Sequence, residues 1–131
     1  MKFTAHIQNN PGDHQVTLSV GDKEQTLPIA PRTGGGSSVT GGELLFLALA
    51  TCYCNDIYRE AAAQNIRVNS VKVEVEGDFE APGRPASNIV YRAKVDANAT
   101  EEQIRELMLH TDSVAEIQNT LRLGTPVRLE L

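Results

Sequence analysis

The residues with the most reactive chemistry in this 131-residue chain are two cysteines one position apart, in Cys52-Tyr53-Cys54. Successive residues of a helix turn by about 100°, so side chains two apart point about 200° away from each other. Such thiols can neither pair as a disulfide nor share one metal ion, and each must have its own role. Cys54 falls on a stripe with Leu47, Ala50, Ile57, Tyr58 and Ala61, which reads as the packing face. Cys52 falls on a stripe with Leu45, Ala48, Leu49, Asn55, Asp56 and Arg59, apolar at first and polar toward its end. Cys52 is therefore the candidate for reactivity, set against the common role of a free cysteine as a small buried hydrophobe. A reactive thiol needs its thiolate favoured by a helix N-terminus or a nearby cation. Cys52 lies too far into its helix for the dipole to help, and Arg59 is two turns further on. The expected cation comes from another segment or subunit, with Arg32 and Arg59 the first to consider.

Other constellations carry less chemistry. His6, His14 and His110 lack the spacing of zinc ligands, and a total of two cysteines excludes both an all-cysteine zinc site and a disulfide framework. No metal and no cofactor are expected. The stretch from Thr33 to Gly42 contains five glycines but lacks the Lys-Ser/Thr that completes a phosphate-binding loop. With 12 Lys+Arg against 17 Asp+Glu the net charge is −5, and no basic run could neutralise a row of phosphates. Nucleic acids and membranes are excluded as partners. The N-terminal residues hold no apolar stretch of signal-peptide length, so a cytoplasmic location is expected. Hydrophobic residues make up 40% and charged residues 22%, the balance of one folded domain over residues 1–131.

The elements that must position Cys52 can be read along the chain. Residues 2–8, 15–20 and 25–29 have strand chemistry and are separated by turn residues 9–13 and by Gly21-Asp22, which predicts a three-stranded antiparallel meander. Residues 33–38 read as a mobile loop. Thr40 and Glu43 have capping-box spacing and open a long helix to Gln64. Its first half, residues 44–50, is apolar nearly all round and must be buried on every side, which implies a partner subunit. Val71, Val73 and Val75, then Ile89, Tyr91, Ala93 and Val95, alternate with mostly polar residues and predict two half-buried strands joined by a long loop over residues 77–86. Thr100 to Gln103 is a second capping box, opening a helix to about His110. Ser113 to Glu116 is a third, opening a helix through Leu121 that Gly124 can end. A last strand is expected over residues 127–131. The order, βββ, long α, ββ, α, α, β, is an α+β arrangement without the alternation of a parallel sheet.

The segment Glu43-Leu44-Leu45-Phe46-Leu47-Ala48-Leu49-Ala50-Thr51-Cys52 resembles the E-L-L-x-x-A-L-A-x-C motif on the central helix of the OsmC/Ohr family. The preceding meander, the following V-x-V-x-V strand, and the run from Asp112 to Arg122 fall in that family's order, so the likeness covers most of the chain. The resemblance implies an intertwined homodimer with two long central helices packed together. It also implies thiol-dependent reduction of organic hydroperoxides, in which a peroxidatic cysteine becomes a sulfenic acid and pairs with a resolving cysteine. By motif position Cys52 corresponds to the peroxidatic residue. The resolving position holds Asp112 or Ala115 here, and the catalytic Glu position falls on Gly42, with Glu43 beside it. The nearest counterpart of the activating Arg is Arg32. The expected protein is an OsmC-like homodimer with a one-cysteine cycle, its catalytic set drawn from Cys52, Glu43 and Arg32, its substrate a small hydroperoxide and its reductant an external thiol. The competing expectation is a catalytically inactive dimer that binds a small apolar ligand.

Overall fold

The computed structural model of the protein describes residues 1–131. The chain forms two compact units, Met1–Leu44 and Leu45–Leu131. In the first, β1 (Phe3–Asn10), β2 (Asp13–Val20) and β3 (Lys23–Thr26) make an antiparallel sheet in the order β1-β2-β3. β1 and β2 pair from Phe3↔Val20 to Asn10↔Asp13, so the reversal takes only Pro11 and Gly12 rather than the five turn residues expected. Proline presets the first turn position and Gly12 supplies φ +80° at the second. β3 lies earlier than the expected 25–29. Gly21-Asp22 closes a two-residue turn that starts the ladder at Lys23, and Pro28 has no N–H to continue it.

Helix α1 (Gly41–Ala63) opens on the expected capping box. The Thr40 N–H donates to Glu43 Oε2 at 2.9 Å, and the Glu43 N–H donates to Thr40 Oγ1 at 3.2 Å. It ends where Asn65 takes a left-handed φ of 57°, and no helix of the chain is long and apolar enough to cross a membrane. β4 (Val68–Asp78) and β5 (Ser87–Ala97) pair antiparallel, with Val71↔Val95, Val73↔Ala93 and Val75↔Tyr91 in register. Five of these six, all but Val75, pack on a core of Tyr53, Ile57 and Ala61 from α1 and Leu107 from α2 (Glu101–Val114). A short α3 (Glu116–Arg122) follows.

Further expectations are corrected. The buried face of α1 is Leu49, Tyr53, Asp56, Ile57 and Ala61. Of the stripe read as packing, Leu47 and Tyr58 are 58% and 45% exposed and Cys54 is half-buried. α2 runs past His110 to Val114, and the third capping box does not form. The Ser113 hydroxyl instead donates back to the His110 carbonyl at 2.6 Å, leaving α3 with Ala115 as an N-cap that has no side-chain bond. Residues 127–131 form no strand. Their apolar side chains Val127, Leu129 and Leu131 stand free of the rest of the chain, and a strand exists only against a partner edge.

Candidate functional site around Cys52

Cys52 sits in the middle of α1, half-buried, one turn from the buried face. Helical spacing puts Asp56 four residues on and Arg59 seven residues on, along one stripe. The Cys52 Sγ lies 3.5 Å from Asp56 Oδ2 and 3.7 Å from Glu116 Oε2, so its single proton has two carboxylates to choose between. The Arg59 Nη1 binds the far oxygens of the same two groups, at 3.1 Å from Asp56 Oδ1 and 3.0 Å from Glu116 Oε1. Each carboxylate is thus shared, one oxygen toward the guanidinium and the other toward the thiol. The network continues outward. Arg59 Nε donates to Glu60 Oε2 at 2.8 Å, and His110 Nε2 lies 2.7 Å from Glu60 Oε1.

Glu116 arrives from the other end of the chain because the α2–α3 junction is pinned. Asp112 accepts from the Tyr91 hydroxyl and, at 2.7 Å, from Arg122 Nη2, while Arg122 Nη1 donates to the Asp112 carbonyl at 3.1 Å. Ala115 is fully buried. The Gln118 Nε2 donates to the Leu49 carbonyl at 3.0 Å, one turn before Cys52, while the buried Gln118 Oε1 has no hydrogen-bond partner. These contacts hold the start of α3 against the middle of α1 and bring the Glu116 carboxylate to the sulfur.

The electrostatics favour the neutral thiol. Burial pushes Cys52 up and the negative charges of Asp56 and Glu116 add to it, against the opposing pull of the Ile117 N–H. Within the carboxylate pair the proton prefers Asp56. Burial raises it and Glu116 adds to the shift, outweighing Arg59. Glu116 is held down by its own backbone N–H, by Asp56 and by Arg59. One ligand atom each from Cys52, Asp56 and Glu116 lie within 4.8 Å of one another, so these residues are the ones that could hold a metal ion, with Arg59 already supplying a positive charge to the two carboxylates.

Of the three residues expected to form the site, Cys52 is the one placed in this cluster. Glu43 is exposed and its carboxylate caps α1. Arg32 is exposed in the glycine-rich loop, where its backbone N–H donates to Gly36 and its carbonyl accepts from Gly12. Both have local roles within the N-terminal unit. Sequence reasoning named Asp56 and Arg59 as neighbours of Cys52 on one stripe but gave Asp56 no chemistry. It took Glu116 as half of a capping box, and nothing in the local pattern of Glu116 signals a contact 64 positions away.

Residues 34–130 match the family described as OsmC-like protein. No curated protein matches the chain. Among solved structures, an OsmC-like protein from Mycoplasma pneumoniae is 19% identical with a TM-score of 0.64, the alignment covering 91% of this chain and 87% of that one. An OsmC-like protein of unknown function from Vibrio cholerae gives 16% identity and a TM-score of 0.65, covering 92% and 93%. A protein from Legionella pneumophila described as an organic hydroperoxide resistance protein and predicted redox protein gives 19% and 0.55, covering 93% and 90%.

Proposed function

The chain belongs to the OsmC-like family, and on that premise we propose that it is a thiol-dependent redox protein in which Cys52 reduces small organic hydroperoxides. The observation that carries this reading is the thiol's position against a carboxylate pair tethered by Arg59. A nucleophile with a proton acceptor in reach, and a third group orienting that acceptor, is the arrangement that nucleophilic catalysis requires. The description of the Legionella pneumophila protein agrees with it. The cycle is of one-cysteine type. Cys52 and a hydroperoxide give a sulfenic acid and an alcohol; two external thiols then return Cys52 to the thiol, releasing a disulfide and water. Cys54 does not serve as resolver, being turned about 200° away around the helix. Ala115 and Asp112 stand where the resemblance puts a resolving cysteine.

The test is treatment with tert-butyl hydroperoxide, trapping of sulfenic acid with dimedone, and peptide mapping by mass spectrometry. Label on Cys52, with turnover in dithiothreitol that Cys52→Ser abolishes and Cys54→Ser keeps, is the expected outcome. A Cys52 that stays reduced while glutathione in the same tube is oxidised ends this reading. The raised thiol favours a second one, a non-catalytic protein that takes a small apolar ligand. A rise in melting temperature with medium-chain fatty acids and no peroxide turnover would establish that reading instead.

A further inference from the structure

We propose that Asp56 is the proton carrier of this site, taking the Cys52 proton and delivering it to the alkoxide oxygen that leaves when the hydroperoxide O–O bond breaks. The assignment rests on the hydroperoxide reading above. In the step itself, Cys52 Sγ attacks the terminal oxygen and the S–O bond forms as O–O breaks. The bonding pair leaves on the alkoxide, the thiol proton passes to Asp56 Oδ2, and Asp56 returns it to the alkoxide to give the alcohol. The atoms and charges balance without any further reactant. An alkoxide is a poor leaving group, so a positioned acid has most to contribute at this point, typically 10²- to 10⁴-fold.

Geometry selects Asp56 over its neighbours. It is the nearer carboxylate to Sγ, 3.5 Å against 3.7 Å for Glu116, and its side chain is 8% exposed where the Glu116 side chain is 62% exposed. A buried acid exchanges its proton with a bound substrate rather than with water. Arg59 holds the Asp56 oxygen that faces away from the thiol, which leaves Oδ2 turned toward the reacting sulfur. Arg59 is thus a positioning residue. Glu60, which binds Arg59, and His110, which binds Glu60, are the remaining titratable groups of the network, and neither has a hydrogen bond to the sulfur.

The two demands on Asp56 can be separated by the electrophile. Iodoacetamide needs only a thiolate, because iodide leaves without a proton, whereas tert-butyl hydroperoxide needs a proton on its leaving oxygen. Asp56→Asn removes a negative charge beside the thiol and removes the proton carrier. Expected for Asp56→Asn are alkylation of Cys52 faster than wild type by about 3- to 10-fold and hydroperoxide reduction slower by at least about tenfold. Peracetic acid, whose acetate leaves unprotonated, should be reduced at least as fast as by wild type. Asp56→Glu, which keeps the acid, should recover part of the hydroperoxide rate, and it carries the test if the Asn variant does not fold by circular dichroism. If both reactions of Asp56→Asn accelerate together, or neither changes, Asp56 carries no proton and the assignment is wrong. A wild-type protein whose Cys52 tert-butyl hydroperoxide leaves reduced removes the hydroperoxide reading itself, and the assignment with it. A wild type that turns over alongside an equally active Asp56→Asn removes only the assignment.

Discussion

At the scale of single residues, the charge balance around Cys52 decides how it reacts. Arg59 is the one guanidinium bonded to Asp56, Glu60 and Glu116, and it is 48% exposed, so its effect is partly screened by solvent. Replacing it by Met leaves two carboxylates beside the thiol without a counter-charge, and both Cys52 and Asp56 then move further up. In wild type the alkylation rate should keep rising past about pH 8.5, the ordinary thiol value, because burial and the two carboxylates hold the thiol above it. In Arg59→Met the same curve should lie further to the alkaline side, with a rate at pH 8 lower by about 3- to 10-fold. A faster rate would mean that Arg59 restrains the thiol rather than easing its ionisation. Cys52, Asp56 and Arg59 were legible in the sequence because four- and seven-residue spacing on a helix is a local regularity. Glu116 was not, because its place depends on how α3 docks, which no local pattern encodes.

Among the elements, the junction between α2 and α3 governs the site, since it brings Glu116 to the sulfur. Its latch is Asp112. Burial works against the charged form of Asp112, but hydrogen bonds from Tyr91 and Arg122 outweigh it and hold the carboxyl below its usual range. A carboxyl lowered in the folded state contributes stability that is present above its unfolded value, about pH 3.9, and is lost as pH falls through the folded one. Asp112→Asn should therefore cost about 1 kcal/mol at pH 7, a modest figure because the side chain is 40% exposed. That difference should vanish near pH 2, as read from urea unfolding at the two pH values. Equal loss at both would assign the effect to packing instead of charge. The elements themselves were legible wherever a local rule governed them. Thr40 with Glu43 and Thr100 with Gln103 cap their helices as their spacing predicts. Ser113 has the same spacing and fails, because its hydroxyl reached the carbonyl behind it first. The buried face of α1 was misread because apolar residues on every side of its first half leave the pattern without a direction.

For the molecule as a whole, the deciding matter is what covers the apolar surface that one chain leaves exposed. In the C-terminal unit Leu47 and Tyr58 of α1 and Phe79 beyond β4 are 58%, 45% and 52% exposed. The tail carries Val127, Leu129 and Leu131 in alternation with Pro126, Arg128 and Glu130, a strand pattern that pairs with no strand of its own chain. Side chains of this size each gain about 1.5 to 3 kcal/mol from full burial, and patches this apolar mark association surfaces. We propose that the partner is a second copy of the chain, since the first half of α1, apolar nearly all round, is complementary to itself across a two-fold axis. Sedimentation equilibrium at micromolar concentration should then give a mass near twice 14.2 kDa. Leu47→Glu and removal of residues 126–131 should each shift the equilibrium toward the single chain, and their combination further still. A monomeric wild type under these conditions would contradict the dimer. Cys52 reactivity measured on the dissociated variant would then report whether the second copy contributes to the site, because a cation supplied across the interface would be lost and alkylation would slow with dissociation.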